Sequence, residues 1–328
     1  MLIKRRKGWE IPEREVTAES LYLNRRQILA GTGLTIAGGI AGGALIGGVA
    51  PAHAEADPSE GLYPAPRNEK YKIGPRPITA QKDNEAYTNF YEFRLGSAGD
   101  CRTAAEKLPI RPWDIKIDGL VEKEFTIGID DLLKKVTLEE RVYRHRCVET
   151  WAMTVPWTGF PMASLVALAK PTSAARFVRM ETFLKPDVAP NQRNTFSYDW
   201  PYVEGLTLAE ATNELAFVVT GSYGKPVGKS MGAPIRIHLP WKYGFKSIKS
   251  VVKFTFTADR PVNWWQGLQA REYGFWANVN PEVAHPRWSQ ANERLLSGGT
   301  VPTVIYNGYG EFVADLYKDI RGGENLFK

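Results

Sequence analysis

A short run around Cys147, Tyr-Arg-His-Arg-Cys-Val-Glu-Thr-Trp at residues 143–151, constrains this chain more than any other part. Cys147 is one of only two cysteines among 328 residues, and three basic-type side chains directly precede it. Positive neighbours favour the thiolate, which is the form that binds metals and attacks electrophiles. The run therefore predicts a thiolate ligand to a soft transition metal. The alternative from the residues alone is a cysteine that pairs with Cys101 or packs as a small apolar side chain.

The first 54 residues differ in kind from the rest. The pair Arg25-Arg26 precedes an uncharged run from Ala30 to Val49, and Ala52-His53-Ala54 follows it. A basic segment, an apolar segment and an A-x-A end are typical of an export signal, and adjacent arginines indicate the twin-arginine route. A membrane anchor of this length is the alternative, but six glycines within residues 31–43 count against it. We expect residues 1–54 to be removed after export of a folded protein to the periplasm.

Charge excludes one class of function. The net charge of the whole chain is +6, and residues 1–54 hold seven of the basic and four of the acidic residues. Half of the surplus therefore belongs to the predicted export signal. A remaining surplus of three charges is not the basic footprint of a nucleic-acid-binding protein.

Two cysteines in an exported chain usually indicate a disulfide. A Cys101–Cys147 bond would close a long loop and stabilise the chain by roughly 3–4 kcal/mol in the chain-entropy model. A zinc site is disfavoured, because no histidine after the export signal has metal-ligand spacing to either cysteine.

The remainder reads as short strands and short helices. Residues 55–85 are rich in proline and charge and predict an extended arm or linker. Alternating residues 113–121 turn at Asp118-Gly119 and return at 125–127, which is a hairpin signal. Further strands are predicted over 88–93, 140–147, 175–183, 215–220 and 251–257, and helices from 130, over 161–169 and over 206–214. The strand over 140–147 carries Cys147 to its end, where a side chain can face a pocket.

A second dense motif lies between Gly232 and Lys249. Arg236 stands in a strand-like run, where a buried guanidinium needs an anion and can grip a phosphate through two hydrogen bonds. Lys242, Lys246 and Lys249 add positive charge beside glycine-bearing loops. The motif predicts an anion pocket, and surface salt bridges are the alternative.

These segments resemble the sulfite-oxidase-type molybdenum proteins, and among them the catalytic subunits of periplasmic protein-methionine-sulfoxide reductases. The resemblance rests on the run at 144–151, Pro-Trp-Thr-Gly-Phe-Pro at 156–161, Asn-Phe-Tyr-Glu-Phe at 89–93 and the motif around Arg236. It also includes segments 272–281 and 285–290, whose chemical role stays unassigned. The chain departs from the family pattern at Thr88 and Met231, where asparagine is common; neither side chain carries an amide.

The resemblance implies an α+β fold of the sulfite-oxidase type, with small mixed sheets and short helices, in one catalytic domain over residues 86–328. It implies one molybdenum-molybdopterin per chain, without a nucleotide, whose metal is bound by Cys147; Cys101 would then be free. The residues implied to bind the cofactor are Asn89, Tyr91, Glu92, Cys147, Thr182, Arg236, Ser247, Ile248 and Lys249. Arg144, Arg146 and Glu149 are candidates for orienting substrate or tuning the metal.

The function implied is reduction of methionine sulfoxide residues in oxidised periplasmic proteins by oxygen-atom transfer. The sequence contains no C-x-x-C-H haem motif, and the family takes electrons from a haem-containing membrane subunit. Two other functions remain open from the sequence. One is a molybdenum enzyme that oxidises sulfite, and the other is an exported, disulfide-stapled binding protein without metal.

Overall fold

The computed structural model describes residues 57–71, 74, 76–94, 96, 98–320 and 324–328. These residues belong to one compact unit, Glu55–Lys328. The predicted export signal at residues 1–54 lies outside the described residues. Among the described residues, no helix has both the length and the apolar character needed to cross a membrane.

Twelve strands form two sheets in the described part of the chain. Their bounds are β1 Asp114–Gly119, β2 Phe125–Gly128, β3 Glu139–Arg146, β4 Trp151–Pro161, β5 Phe177–Thr182, β6 Val203–Thr207, β7 Phe217–Ser222, β8 Lys225–Pro226, β9 Arg236–His238, β10 Val251–Thr257, β11 Asn292–Leu295 and β12 Thr300–Pro302. The first sheet has the order β2-β1-β10-β5-β6, and the second has β12-β11-β4-β7-β8 with β3 on β4 and β9 on β7. Both sheets mix parallel and antiparallel pairs.

The helices are short and lie between strands. Their bounds are α1 Gln81–Ala86, α2 Arg102–Ala105, α3 Ile129–Leu133, α4 Met162–Ala169, α5 Leu208–Ala211, α6 Trp264–Leu268 and α7 Gly310–Val313. Single 3-10 turns occur at Glu60–Leu62, Glu69–Tyr71, Pro190–Arg193, Lys229–Met231, Gly244–Lys246, Ile305–Gly308 and Ala314–Leu316. Small mixed sheets with short helices confirm the predicted α+β class.

Most predicted elements occur where the patterns place them. The β1–β2 hairpin, the strand that leads to Cys147 and the helix at Met162–Ala169 are confirmed. The helix predicted over 206–214 covers only Leu208–Ala211, where a capping box between Thr207 and Glu210 starts it. The strand predicted over 88–93 is wrong: apart from one bridge at Thr88, the segment turns back on itself through hydrogen bonds to the Phe90 carbonyl.

The described residues of segment 55–85, which the sequence predicts to be an extended arm or linker, contact the second sheet. The Tyr63 hydroxyl lies 2.9 Å from the Thr220 Oγ1 atom in β7. Arg67 Nε donates to the Glu140 carboxylate in β3 at 2.6 Å. Thr79 exchanges hydrogen bonds with Thr154 in β4. This part of the segment is thus fastened to β3, β4 and β7.

The β3–β4 pair is the central feature of the second sheet. Eight consecutive residues of β3 pair with β4, from Glu139 opposite Gly159 to Arg146 opposite Ala152. On its other edge β4 pairs with β11 near Trp151 and with β7 near its end. The turn that joins β3 to β4 is therefore held on a strand that is paired along both edges.

Gly159 is a close-packing position between β4 and β7, beside a register shift of that pair. A Cβ atom there would lie 1.9 Å from the Val218 carbonyl oxygen. We expect Gly159→Ala to lower the free energy of unfolding by about 1–3 kcal/mol, because the strands must separate to admit the methyl group. Urea denaturation measures the change. Gly61→Ala is the control, since no atom lies within 4 Å of the added carbon, and equal stability losses in the two variants would contradict this packing.

Candidate active site around Cys147

Cys147 lies in the turn between β3 and β4. Its N–H donates to the Trp151 carbonyl at 2.9 Å, and its carbonyl accepts from the Thr150 N–H at 3.0 Å. Thr150 has a φ of 69°, a left-handed conformation that costs free energy for a β-branched residue. The turn therefore keeps a strained residue three positions after the sulfur.

The side chain of Cys147 faces a cavity, here called the Cys147 cavity. Its walls come from the turn itself, the 88–92 segment, β9 and the loop that precedes β10. All but one of the predicted site residues line it: Asn89, Tyr91, Glu92, Cys147, Arg236, Ser247, Ile248 and Lys249. Thr88 and Met231, where the chain departs from the family pattern, line it too. Four segments that are distant in sequence thus meet at one place.

Thr182 is the predicted site residue that is not among those lining the cavity. It is buried, and its hydroxyl donates to the backbone carbonyls of Lys249 and Ser250 at 2.8 and 3.1 Å. Thr182 therefore acts on the cavity wall from behind, by fixing the backbone of the Lys249 loop.

The sulfur atom accepts two weak hydrogen bonds. The Glu149 backbone N–H lies 3.5 Å from Cys147 Sγ, and the Asn89 side-chain amide nitrogen lies 3.6 Å from it. The same amide nitrogen donates to the Glu149 carboxylate at 3.0 Å. The side-chain carbonyl oxygen of Asn89 is buried without a hydrogen-bond partner among the described residues. It can therefore accept a hydrogen bond from a ligand in the cavity.

Without a metal, the protein favours the thiol form of Cys147. Burial and the nearby Glu149 carboxylate raise the pKa of Cys147 to about 12. The expectation that basic neighbours lower this pKa is therefore wrong, because burial outweighs them. Strand alternation places Arg144 and Arg146 on the face of β3 opposite to Cys147, and Arg146 forms a buried ion pair with Glu293 at 3.0 Å. A bound metal would reverse this preference, because a coordinating thiol is deprotonated.

Arg236 brings a buried positive charge to the cavity wall. Its guanidinium donates to the carbonyls of Met231 and Ser247 at 2.8 and 3.2 Å and lies over the Trp157 ring. Within the described ranges, no carboxylate forms an ion pair with it. Burial lowers its pKa to about 9. A buried guanidinium solvated only by carbonyls is a strong site for an anion.

Lys249 adds a second cation. Its ammonium group donates to the Asn89 backbone carbonyl at 2.7 Å. Burial, followed by the charge on Arg236, lowers its pKa to about 8, and Glu92 opposes this shift. Burial raises the pKa of Glu92 to about 7. The cavity therefore holds two cationic groups and a carboxyl group whose charge is costly there.

The prediction that Lys242 and Lys246 add charge to the anion pocket is wrong. Both are fully buried, and neither is among the residues that line the Cys147 cavity. Lys242 pairs with Glu210 at 2.5 Å, and Lys246 pairs with Glu204 at 2.7 Å. Each charge is neutralised inside the core, which is the arrangement that a buried lysine requires.

At Met231 the family commonly has an asparagine side chain. In this chain the backbone carbonyl oxygen of Met231 accepts a hydrogen bond from Arg236. The next residue, Gly232, has a φ of 106°, and a Cβ atom there would lie 2.7 Å from Lys249 Cβ. Glycine thus allows the Met231 turn to approach the Lys249 loop.

His145 is a cavity residue that the sequence interpretation missed. Alternation along β3 places it on the same face as Cys147, and this periodicity is the signal that could have found it. Its ring stacks near that of His238 at a centroid distance of 5.5 Å. Burial, with His238 and Arg236 nearby, holds the pKa of His145 well below its usual value. His145 is therefore a neutral aromatic side chain in the wall of the cavity.

A groove continues from the cavity toward the surface, with a volume of about 880 Å³. It shares with the cavity the residues Tyr91, Glu149, Trp151, Trp265 and Tyr273. It is also lined by Tyr198, Arg287 and Trp288, among others. The sulfur thus lies at the inner end of an aromatic passage.

Cys101 and Cys147 are both free and buried, which contradicts the disulfide-stapled alternative. Among the described residues, no group of three or more His, Cys, Asp or Glu could hold a metal ion. A soft sulfur in one cavity with the buried Arg236 and the partly buried Lys249 matches a metal cofactor that carries negative charge.

The chain is similar to known proteins at the level of a family model, a full-length sequence and a solved structure. Residues 103–265 match the family model described as the oxidoreductase molybdopterin binding domain. The chain is 42% identical over 340 aligned residues to the protein-methionine-sulfoxide reductase catalytic subunit MsrP of Pseudomonas syringae pv. tomato, with 100% of this chain and 99% of the relative covered. The crystal structure of the sulfane dehydrogenase SoxCD from Paracoccus pantotrophus matches with a TM-score of 0.44 and 12% identity, over 72% of this chain and 61% of that chain.

Identity at this level along the full length of both chains shows the family. The chain belongs to the protein-methionine-sulfoxide reductase catalytic subunits, which carry the oxidoreductase molybdopterin-binding domain.

Proposed function

We propose that this chain reduces methionine sulfoxide residues of periplasmic proteins to methionine, with molybdenum-molybdopterin as its cofactor. The observation that carries the proposal is the position of Cys147, whose sulfur faces a cavity that also holds the buried Arg236 and the partly buried Lys249. The full-length likeness to a protein-methionine-sulfoxide reductase catalytic subunit supports the same activity.

The residues present fit this cofactor. Cys147 supplies a soft sulfur ligand, and Arg236 and Lys249 supply positive charge for a phosphate. The side-chain carbonyl oxygen of Asn89, which has no hydrogen-bond partner among the described residues, can accept from a ring N–H of a pterin. Tyr91 and Glu92 would line the pterin, Ser247 and Ile248 would contact the cofactor beside Lys249, and Thr182 would hold that loop in place.

When bound, the cofactor supplies two-electron oxygen-atom transfer. The overall reaction consumes the sulfoxide, two protons and two electrons, and it yields the thioether and water. The protein positions the reactants: Cys147 is buried at the inner end of the groove, and Tyr91, Trp265 and Tyr273 form an aromatic passage for a sulfoxide side chain. Glu149 lies where the passage meets the sulfur and would orient the substrate.

Cys147→Ser tests the assignment of the metal ligand. We expect the variant to fold and to lose both the sulfur-to-molybdenum absorption and sulfoxide-dependent oxidation of a reduced dye, because a hydroxyl is a harder and weaker donor to this metal. Cys101→Ser is the matched control, since it replaces the other buried cysteine outside the cavity.

Wild-type turnover in the Cys147→Ser variant would disprove the ligand assignment. The proposed reaction would be disproved if wild-type protein held one molybdenum per chain and oxidised sulfite but did not reduce a sulfoxide. The cofactor assignment would stand in that case.

Arg236→Ala tests the cofactor pocket. A bidentate guanidinium–phosphate pair contributes about 1.5–3 kcal/mol, so we expect the dissociation constant of the cofactor to rise roughly tenfold to a hundredfold. Molybdenum and pterin per chain after extended dialysis measure this loss.

Arg141→Ala is the control for Arg236→Ala, because Arg141 is equally buried but contacts Glu139 and Tyr143 away from the cavity. It should lower stability without selective loss of cofactor. Equal cofactor occupancy in Arg236→Ala and the wild type would remove Arg236 from the pocket and weaken the assignment of Ser247, Ile248 and Lys249.

The location proposed for the enzyme is the periplasm, reached in the folded state by the twin-arginine pathway. The arginine pair at residues 25 and 26, the apolar run and the A-x-A sequence support it. We expect Arg25→Lys with Arg26→Lys to retain the precursor in the cytoplasm, as measured by cell fractionation. Mature protein at normal levels in the periplasm would contradict this route.

A haem-containing membrane subunit is the proposed electron donor. The relative is described as a catalytic subunit, and the present sequence has no C-x-x-C-H motif for covalent haem. Co-purification of the tagged chain from detergent-solubilised membranes tests the partnership, and the absence of haem absorbance in the recovered complex would contradict it.

A further inference from the structure

The segment His285–Gln290 contacts the Cys147 turn through one carbonyl oxygen. The indole N–H of Trp288 donates to the Val148 carbonyl at 2.8 Å. The side-chain amide of Gln290 donates to the same oxygen at 2.9 Å. The family resemblance includes this segment without a chemical role. In the structure, two of its side chains donate to the carbonyl of Val148, the residue that follows Cys147.

The Val148 carbonyl and the Glu149 N–H are the two ends of one planar peptide group. That N–H lies 3.5 Å from Cys147 Sγ and donates to it. Donors on a peptide oxygen polarise the group and strengthen the hydrogen bond that its N–H donates. Trp288 and Gln290 therefore act on the sulfur through a single peptide group, without touching the sulfur themselves.

Both donors are held rigidly. The Trp288 ring stacks on His285 with a centroid distance of 3.8 Å and an interplanar angle of 11°. Gln290 is buried, and its side-chain carbonyl oxygen accepts a hydrogen bond from Arg146 at 2.8 Å. Arg146 is itself fixed by Glu293 and also donates to the Cys147 carbonyl. This support fixes the side-chain amide with its N–H directed at Val148.

We propose that Trp288 and Gln290 are positioning residues that tune the electron donation of the Cys147 sulfur through the Val148–Glu149 peptide. The proposal rests on the proposed function, in which this sulfur binds molybdenum. A stronger N–H···S hydrogen bond withdraws electron density from a metal-bound sulfur, and hydrogen bonds to ligand sulfurs raise the reduction potential of the metal. The two side chains thereby favour reduction of the metal, which must precede oxygen transfer from a sulfoxide.

The test removes each N–H donor; Gln290→Met also removes the side-chain oxygen that accepts from Arg146, whereas Trp288→Phe removes no hydrogen-bonding group besides the indole N–H. Trp288→Phe retains an aromatic ring for stacking on His285, and Gln290→Met retains the length of the side chain. Trp200→Phe is the matched control, because the Trp200 indole N–H is buried with no hydrogen-bond partner in the described part of the chain. The measurements are the molybdenum midpoint potential, from an EPR-monitored redox titration, and the energy of the sulfur-to-molybdenum absorption band.

We expect both single variants to shift the potential to more negative values and the absorption band to lower energy. The double variant should shift both further, and Trp200→Phe should leave both at wild-type values. The potential and band energy belong to each loaded centre, so that partial loss of cofactor in a variant does not hide a shift.

An unmoved potential and band in either variant, or shifts of opposite sign in the two, would overturn the proposal. A purely structural role would change occupancy or melting temperature and leave the potential unchanged. Failure of the proposed function looks different: wild-type protein would then either lack the sulfur-to-molybdenum band or show the band without reducing a sulfoxide.

Discussion

The pairing of β3 with β4 is the constraint on which the site depends. It brings Cys147 to a turn on a strand that is paired along both edges. The resulting backbone rigidity lets Thr150 remain in a left-handed conformation, since the surrounding hydrogen bonds outweigh the local cost. The direction of the sulfur is therefore set by sheet geometry, and the cofactor would meet a ligand that is already oriented.

The buried positive side chains are of two kinds. Those paired with a carboxylate stabilise the fold, whereas Arg236, which forms no ion pair with a carboxylate in the described part of the chain, faces the Cys147 cavity. Lys242, Lys246 and Arg146 each face a carboxylate inside the protein, so their charges are neutralised. Arg236 is solvated by backbone carbonyls, and burial depresses its pKa. A charge left in this condition is costly for the fold alone. An anionic ligand would remove that cost, which explains why the cavity holds such a residue.

Sequence patterns predicted the strands well where period-two alternation is strong, as in β1 and β5, and they located Cys147 and Arg236. They failed at residues 88–93, where alternating aromatic residues form a turn against the cavity. They also failed for Lys242 and Lys246, because their partners Glu210 and Glu204 are distant in sequence. The pKa of Cys147 was inaccessible for a similar reason: the folded environment sets burial, and strand alternation turns the neighbouring arginines away.

The central claim is that the Cys147 sulfur binds molybdenum within this cavity. The most direct measurement is a crystal structure of the cofactor-loaded protein with diffraction data collected at the molybdenum absorption edge. The account predicts one strong anomalous peak per chain at bonding distance from Cys147 Sγ, with the phosphate of the cofactor beside Arg236. A peak bound elsewhere, or a loaded protein in which Cys147 stays unligated, would contradict it.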